Sequence, residues 1–348
     1  MISYAKFDDT LLISVCDRFL RGDKVMDIVQ WLQGEPGGEK IKRENIYPLL
    51  REARSRGYLS VLPPPDGYLQ QRICDRFDLE KECIHVLRVR GGMAQEYVAD
   101  AAAEQIVQLI HEVGETKGRV RIGLGGGGTI MRVARALAPR LRSEGSLPKL
   151  GLHALSSGFD VNNPWTAPVS FLGYFDQAAP DIEYVGLFAS AVVDVDQYEH
   201  VKTLPGVEES FSKARQIDIV VTSLASAGDK HGELNRFMNL GEKSNGNVEE
   251  LKRHGWVGDV SYRPYSKTGP IAAAGGIRAV SVFELEDLVD LARKPNKHVL
   301  LVAAPCGICN EPKAEALQPL LKESSLKLWT HLLMDLTTAQ NLLPREEN

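Results

Sequence analysis

The sequence predicts a two-part α/β protein: an N-terminal helix-turn-helix domain, then a Rossmann-like α/β domain with a mostly parallel sheet. The proline run Pro63-Pro64-Pro65 interrupts the chain, and proline cannot continue a helix. Before this run, apolar residues recur with helical spacing. After it, short apolar runs alternate with helical stretches, which is typical of βαβ units. The predicted division is a helix-turn-helix domain over 1–62, a linker over 63–67 and an α/β domain over 68–348.

Composition limits the class of protein. The chain has 348 residues, of which 43% are hydrophobic and 25% charged, as in ordinary globular proteins of about two domains. The net charge of −5 argues against a protein that coats nucleic acid with its whole surface. Five scattered cysteines favour a reducing compartment. Because no signal peptide or membrane-length apolar run is evident, we expect a cytoplasmic protein with no membrane partner.

The N-terminal part has the outline of a helix-turn-helix module. Gly34 and Gly57 are placed to end the second and third helices, as glycine often does. Residues 58–62 alternate like a short strand and predict a small wing. The predicted helical stripes occupy 11–19, 25–32 and 46–53.

The third of these helices is the candidate DNA contact. Residues 40–56 contain six basic and two acidic side chains, a local charge of +4. A recognition helix reads base edges from its N-terminal residues, and a solvated basic face is the alternative interpretation. Pro48 predicts either a kink or a later start of the helix. The predicted DNA-binding residues are Lys42, Arg43, Asn45, Tyr47 and Arg51.

Beyond the prolines the two kinds of pattern alternate. Predicted strands lie at 84–89, 120–124, 150–155, 217–222, 280–283 and 299–303. Predicted helices lie at 95–113, 129–141, 284–293 and 311–322. The polar stretch 225–258 is predicted to be a long loop with at most one short helix.

A glycine-rich loop is the strongest chemical signal. Gly125, Gly126, Gly127, Gly128 and Thr129 follow an apolar strand and open a helix. Glycines allow backbone N–H groups to surround an anion, and the helix N-terminus adds a positive dipole. A dinucleotide fold would place a carboxylate after the next strand. Ser156, Ser157 and Gly158 stand there instead, so no cofactor is expected, and a phosphate or a ligand-free tight turn remain open.

Several motifs resemble the SorC family of sugar-responsive bacterial transcriptional regulators. The glycine loop with its flanking residues 122–134 is similar to the family's motif, as are Gly258-Asp259-Val260 and residues 313–317. Residues 49–57 resemble the end of the family's recognition helix, and residues 326–343 its last strand and helix. The resemblance therefore spans the chain.

The resemblance implies a helix-turn-helix joined to a sugar-binding domain similar to sugar-phosphate isomerases. It implies operator DNA and a phosphorylated sugar effector as partners, and a dimer or tetramer. The implied effector-binding residues are Gly125, Gly126, Gly127, Gly128, Thr129, Ser156, Ser157, Gly158, Asp259 and Lys313. This chain departs from the family pattern at Ser223–Ser226 and at Pro305–Asn310.

Cys306 and Cys309 form a C-x-x-C motif. A zinc site would need a second pair of ligands, and His298 and His331 are distant in sequence. A redox motif would need a thioredoxin-like setting. Two buried thiols in a strand-end loop are the default interpretation, so no metal is expected.

Two functions compete. The first is a DNA-binding regulator of carbohydrate metabolism that senses a phosphorylated sugar. The second is a sugar-phosphate isomerase or deaminase, which needs an acid/base pair over the sugar. Asp160, Asp229, His231 and Asp259 are candidates for that pair, but Asp229 and His231 are expected to face solvent in a loop. A nicotinamide enzyme ranks third, and no enzyme activity or catalytic residue is expected.

Overall fold

The structure is a computed structural model. It describes residues 7–36, 38, 40–59, 61–158, 163–176, 178, 182–238, 245–272 and 276–344. These residues form helices and a mostly parallel sheet, so the predicted fold class is confirmed. The division into domains 1–62 and 68–348 stays a prediction.

The elements follow one another in a largely alternating order. The helices are α1 (Asp9–Leu20), α2 (Val25–Gln33), α3 (Arg43–Ser55), α4 (Gly67–Phe77), α5 (Ala94–Thr116), α6 (Gly128–Ser143), α7 (Pro168–Phe171), α8 (Tyr198–Lys202), α9 (Val207–Ala214), α10 (Glu233–Met238), α11 (Asn245–Arg253), α12 (Leu285–Ala292), α13 (Ala314–Lys322) and α14 (Leu336–Leu342). The strands are β1 (Ile84–Leu87), β2 (Arg119–Leu124), β3 (Lys149–Ala154), β4 (Glu183–Val185), β5 (Val192–Asp194), β6 (Ile219–Ser226), β7 (Gly258–Val260), β8 (Arg263–Tyr265), β9 (Ile277–Ala279), β10 (His298–Ala303) and β11 (His331–Asp335).

Helices α1, α2 and α3 enclose a small apolar core of their own. Leu12, Ile28, Leu32, Ile46 and Leu49 are fully buried in it. The helix α3 starts at its predicted place and continues through Pro48. Pro48 is the sixth residue of this helix, and because it has no N–H it cannot donate the usual hydrogen bond to Glu44 O.

The predicted wing strand is wrong. Of residues 58–62, all but Ser60 lie in the described part of the chain, and none of these four belongs to a strand. Tyr58 instead donates its backbone N–H to Ala53 O at 2.9 Å, closing the end of α3. A strand needs a neighbour with which to pair, and these residues have none among the described strands.

The proline linker lies against the second part of the chain. Pro65 forms an antiparallel bridge with Leu87, and Arg88 N donates to Pro64 O at 3.0 Å. Asp66 Oδ1 accepts the Leu69 N–H at 3.0 Å and so caps α4. The helix α4 was not predicted, although an Asp cap and two apolar residues four apart, Leu69 and Ile73, are signals for it.

Seven strands form a parallel sheet in the order β1-β11-β10-β6-β2-β3-β4. Apolar clusters cover both faces, which explains the near-continuous apolar composition of its central strands. The strand order reverses between β2 and β6, because β3 and β4 lie on one side of this pair and β10 and β11 on the other. Open parallel sheets bind ligands at such a point, outside the carboxyl ends of the strands.

Two predictions in this part are wrong. Residues 280–283 form no regular strand; the strand of this region is β9, which pairs with β5 in a separate two-stranded sheet. The stretch 225–258 contains the helices α10 and α11, the end of β6 and the start of β7, rather than one long loop. The strand β7 pairs antiparallel with β6 and with β8. No helix in the described ranges is both long and apolar enough to span a bilayer.

Candidate ligand-binding site

The glycine loop lies at the point where the strand order reverses. It leaves the carboxyl end of β2 and enters α6, as the sequence predicts. Gly125 donates its N–H to Val221 O at 2.9 Å, and Gly127 donates to Thr166 O at 2.9 Å. The amides of Gly128 and Thr129 belong to the first turn of α6, where backbone N–H groups have no intrahelical acceptor. Of the loop amides, those of Gly125 and Gly127 are therefore occupied, whereas those of Gly128 and Thr129 are available to an anion.

The geometry of the loop explains why glycine stands at two of its positions. A Cβ on Gly126 would lie 2.0 Å from Tyr262 Oη, so a larger residue fits there only if the tyrosine moves. Gly127 has a φ of +102°, a backbone conformation that residues other than glycine rarely adopt. A Cβ there would meet nothing within 4 Å. The positive φ rather than crowding explains Gly127.

The second predicted loop lies beside the cavity rather than on its wall. Ser156 and Ser157 are buried. Ser157 Oγ donates to Ala189 O at 2.8 Å, and a Cβ on Gly158 would lie 2.5 Å from Ala167 Cβ. None of these three predicted residues lines the cavity described below. Ser156 is nearest to it, because its Oγ would be 3.3 Å from a Cβ on Gly126.

Asp259 lies on β7, fully inside the protein. Its Oδ2 has no hydrogen-bond partner among the described residues. Burial raises the pKa of Asp259 to about 7, although the nearby Lys313 ammonium acts in the opposite direction. A buried carboxyl oxygen without a partner is costly, and a ligand hydroxyl in the cavity would satisfy it.

Lys313 precedes the first residue of α13 and is also buried. Its Nζ donates to Leu224 O at 2.5 Å. Burial lowers the pKa of Lys313, while the carboxylates of Asp229 and Asp259 and the Cys306 thiol raise it. An ammonium has three donors, so two remain for groups in the cavity.

Asp229 and His231 also line this cavity; the expectation that both face solvent is wrong for Asp229, whereas the His231 side chain is partly exposed. Asp229 is buried, and its Oδ1 accepts the His231 backbone N–H at 2.9 Å. The Cys306 Sγ lies 3.4 Å from the same oxygen. Burial raises the pKa of the Cys306 thiol to about 11. Asp160, the other candidate acid or base, lies outside the described residues.

These elements enclose a cavity of about 240 Å³. Ser223, Leu224 and Ala225 line it, as do Pro305 to Ile308; both departures from the SorC pattern are therefore at the site. Its charged lining residues are Arg132, Arg236, Lys313, Asp229, Glu233 and Asp259. Of the predicted residues, the cavity is lined by Gly126, Gly127, Gly128, Thr129, Asp259 and Lys313.

The predicted DNA-binding residues lie at the start of α3 and along it. Lys42, Arg43, Tyr47 and Arg51 are exposed. Asn45 is partly buried, and its Oδ1 accepts the Lys42 backbone N–H at 2.7 Å. Asn45 therefore stabilises the N-terminus of α3. Arg51 also borders a groove between α3 and α6 that contains Arg132, Arg135, Arg140 and Arg142.

Residues 66–344 match the family model described as "Putative sugar-binding domain". No curated protein matches the chain. The full-length sorbitol operon regulator SorC from Klebsiella pneumoniae is 15% identical, with 97% of this chain and 100% of that chain covered and a TM-score of 0.63. A transcriptional regulator from Streptococcus pneumoniae TIGR4 is 16% identical over 79% and 95%, with a TM-score of 0.61. A DeoR family transcriptional regulator from Listeria monocytogenes is 18% identical over 79% and 98%, with a TM-score of 0.57.

Proposed function

Because its residues 66–344 match the family model, this chain belongs to the sugar-binding domain family, and we propose that it is a sugar-responsive, DNA-binding regulator of transcription. The resemblance to the SorC family seen in the sequence is confirmed by the family match and by the fold. The proposal adds three finer statements. The effector is a phosphorylated sugar, the residues 1–62 bind operator DNA, and the protein acts in the cytoplasm.

One observation carries the effector assignment. The N-terminus of α6, the buried Lys313 and the buried Asp259 meet in one cavity at the switch point of the sheet. A phosphate suits the backbone donors of Gly128 and Thr129 together with the positive end of α6. The Lys313 ammonium provides a charge-assisted donor for the same anion.

The sugar ring would extend toward Asp259. Its Oδ2 has no partner among the described residues, so a sugar hydroxyl can donate to it. A carboxylate beside a phosphate would repel it, which argues for placing the phosphate at α6 and the hydroxyls at Asp259. Ser156, Ser157 and Gly158 then support the site without touching the ligand.

The N-terminal helices support the DNA assignment. Lys42, Arg43, Tyr47 and Arg51 are exposed on α3, and local positive charge favours the phosphate backbone. Asn45 would contribute to DNA binding in two ways, by stabilising the start of α3 and by any contact it makes with a base. A helix-turn-helix reads two half-sites through a dimer, so we propose a dimer or tetramer in solution.

Calorimetry tests the effector assignment. Wild-type protein is titrated with a panel of phosphorylated sugars and with each dephosphorylated parent. We expect a phosphorylated member to bind and its parent to bind at least tenfold more weakly, because charge-assisted contacts to the phosphate would be lost. Lys313→Gln should reduce this preference, whereas the exposed Lys327→Ala should not. Equal binding of both forms would refute the phosphate assignment.

A sugar-phosphate isomerase or deaminase is the second candidate, since the cavity contains Asp229, His231 and Asp259 together. Asp259 has a pKa near 7, the range suited to an acid or base. We still propose that the protein holds its ligand unchanged, because the N-terminal helices have no use in such an enzyme. NMR of the sugar after incubation tests this; conversion that stops in Asp259→Asn would establish the enzyme.

A further inference from the structure

Four potential metal ligands converge beside the ligand cavity. Asp229 and His231 follow the end of β6, and Cys306 and Cys309 follow the end of β10. These strands are parallel neighbours, so their carboxyl ends bring the two short motifs together. One donor atom from each of the four side chains lies within 4.8 Å of all the others.

Three of the donors form a nearly equilateral triangle. The Cys306 Sγ lies 3.4 Å from Asp229 Oδ1 and 3.6 Å from His231 Nδ1. The Nδ1 and Oδ1 atoms are 3.4 Å apart. Ligands at usual zinc distances of about 2.0–2.3 Å in a tetrahedron are about 3.3–3.8 Å from one another. The triangle therefore has the size of one face of a zinc tetrahedron.

Cys309 is placed for the fourth position. It is exposed, and its Sγ lies 4.0 Å from Glu311 Oε2. A change of one side-chain torsion can move an exposed thiol by the small distance that remains. The sulfur would then complete the tetrahedron from the solvent side.

The backbone holds these ligands in place. Gln95 Nε2 donates to Cys306 O at 2.9 Å, and Cys306 N donates to Glu311 O at 2.9 Å. On the other motif, Asn235 Nδ2 donates to Asp229 O at 3.2 Å. These contacts hold the backbone from which the two ligand pairs project.

We propose that Asp229, His231, Cys306 and Cys309 bind one Zn²⁺ ion. Two sulfurs, an imidazole and a carboxylate favour zinc over magnesium or calcium, which prefer oxygen ligands. As each sulfur–zinc bond forms, the thiol releases its proton to solvent, and no electron is transferred. The ion joins the loops after β6 and β10, so it would fix one wall of the ligand cavity. This proposal does not depend on the identity of the effector.

Metal analysis and cobalt substitution test the proposal on the full-length protein. The protein is purified under reducing conditions, its metal content is measured, and the chelator-treated form is titrated with Co²⁺ and then Zn²⁺. We expect one equivalent per chain, with a thiolate-to-cobalt charge-transfer band and visible bands of four-coordinate cobalt. Zn²⁺ should displace the Co²⁺, and excess Mg²⁺ should not.

Variants assign the ligands. Cys309→Ser and His231→Ala should each weaken zinc binding about a hundredfold, the share of one ligand in a four-ligand site. Cys83→Ser is the matched control, because Cys83 is partly buried far from the cluster and faces Glu80. Circular dichroism checks that each variant is folded. Wild-type protein that binds no Zn²⁺ with its thiols reduced, or a Cys309→Ser variant that binds as tightly as wild type, would overturn the proposal. A Cys306–Cys309 disulfide whose reduction restores no zinc binding would also overturn it.

Discussion

Asp259 is a carboxyl group held where water does not compensate its charge. Its pKa of about 7, against an ordinary 3.8, arises first from burial. The folded protein thus binds a proton at this group more tightly than the unfolded chain does. Its contribution to stability is full below pH 4 and is lost as pH rises through 7.

Replacing Asp259 with Asn should therefore make stability less dependent on pH. As the pH rises from 4 to 8, the free energy of unfolding of Asp259→Asn should increase relative to that of the wild type by up to about 4 kcal/mol. This figure follows from 1.36 kcal/mol per pKa unit. Urea unfolding of both proteins across this range measures the difference. The exposed Asp290→Asn controls for loss of a surface charge. If the wild type and Asp259→Asn keep a constant difference from pH 4 to 8, the carboxyl is not held neutral.

Gly126 lies against the hydroxyl end of Tyr262, and this hydroxyl donates to Glu233 Oε2 at 2.6 Å. We expect Gly126→Ala to displace this ring, because its Cβ would overlap the hydroxyl, and to cost about 1–3 kcal/mol of stability. Thermal unfolding measures the cost. Gly145→Ala is the control, since a Cβ there meets nothing within 4 Å. An unchanged melting temperature in Gly126→Ala would show that Tyr262 moves aside without cost.

The helix α3 presents Arg43 at its first position, exposed to solvent. Loss of a bidentate contact to a base costs about 1–3 kcal/mol, so Arg43→Ala should weaken a selected operator more than random duplex. Fluorescence anisotropy with an operator selected from a random pool measures both affinities. Arg293→Ala removes the same charge from the exposed end of α12 and should leave both unchanged. An equal loss of affinity for both duplexes would show that Arg43 contacts only phosphate.

Five strands of the parallel sheet, β1, β2, β3, β6 and β10, could be predicted because each contains a short, largely apolar run. The strand β4 was not predicted, because its three residues are too few to form such a run. Residues 280–283 are equally apolar, yet their backbone bonds go to different segments. Val280 N donates to Ala191 O, and Val282 N donates to Leu155 O. An apolar pattern indicates that a segment is buried. It does not indicate whether the segment pairs with a neighbouring strand, and residues 280–283 share only the burial. The helix α11 was missed for the opposite reason, because it is largely polar.

The site could be predicted only where its ligand-binding residues are contiguous in the sequence. The glycine loop is contiguous, so its place at the start of α6 follows from the sequence. Asp229 and Cys306 are far apart in the chain, and they meet because β6 and β10 are adjacent. Strand order is set by packing of the whole sheet, which residue spacing does not encode. Cys306 with Cys309, and Asp229 with His231, each provide only two potential ligands when considered separately.

The helix α6 connects the ligand cavity with the N-terminal helices. Its first turn lines the cavity, and its last turn faces the end of α3, where a Cβ on Gly57 would lie 3.1 Å from Pro139 O. Asp100 on α5 joins the two sides: its carboxylate lies 3.3 Å from Arg54 Nη2 and 3.5 Å from Arg140 Nη1. A ligand that shifts α6 would shift this contact as well.

We therefore expect Asp100→Asn to reduce the effect of the ligand on DNA affinity without changing ligand affinity. Couplings between sites are typically about 1–3 kcal/mol, and a partly exposed ion pair contributes about 1 kcal/mol or less. A two- to fivefold loss in the response is thus expected. Operator binding with and without saturating sugar phosphate measures the response, and calorimetry measures ligand affinity. Glu104→Gln is the matched control, because Glu104 pairs with Arg140 at 3.4 Å and its carboxylate makes no contact with Arg54 of the kind that Asp100 makes. If Asp100→Asn responds to the ligand as fully as Glu104→Gln, the signal reaches α3 by another route, such as rearrangement of subunits.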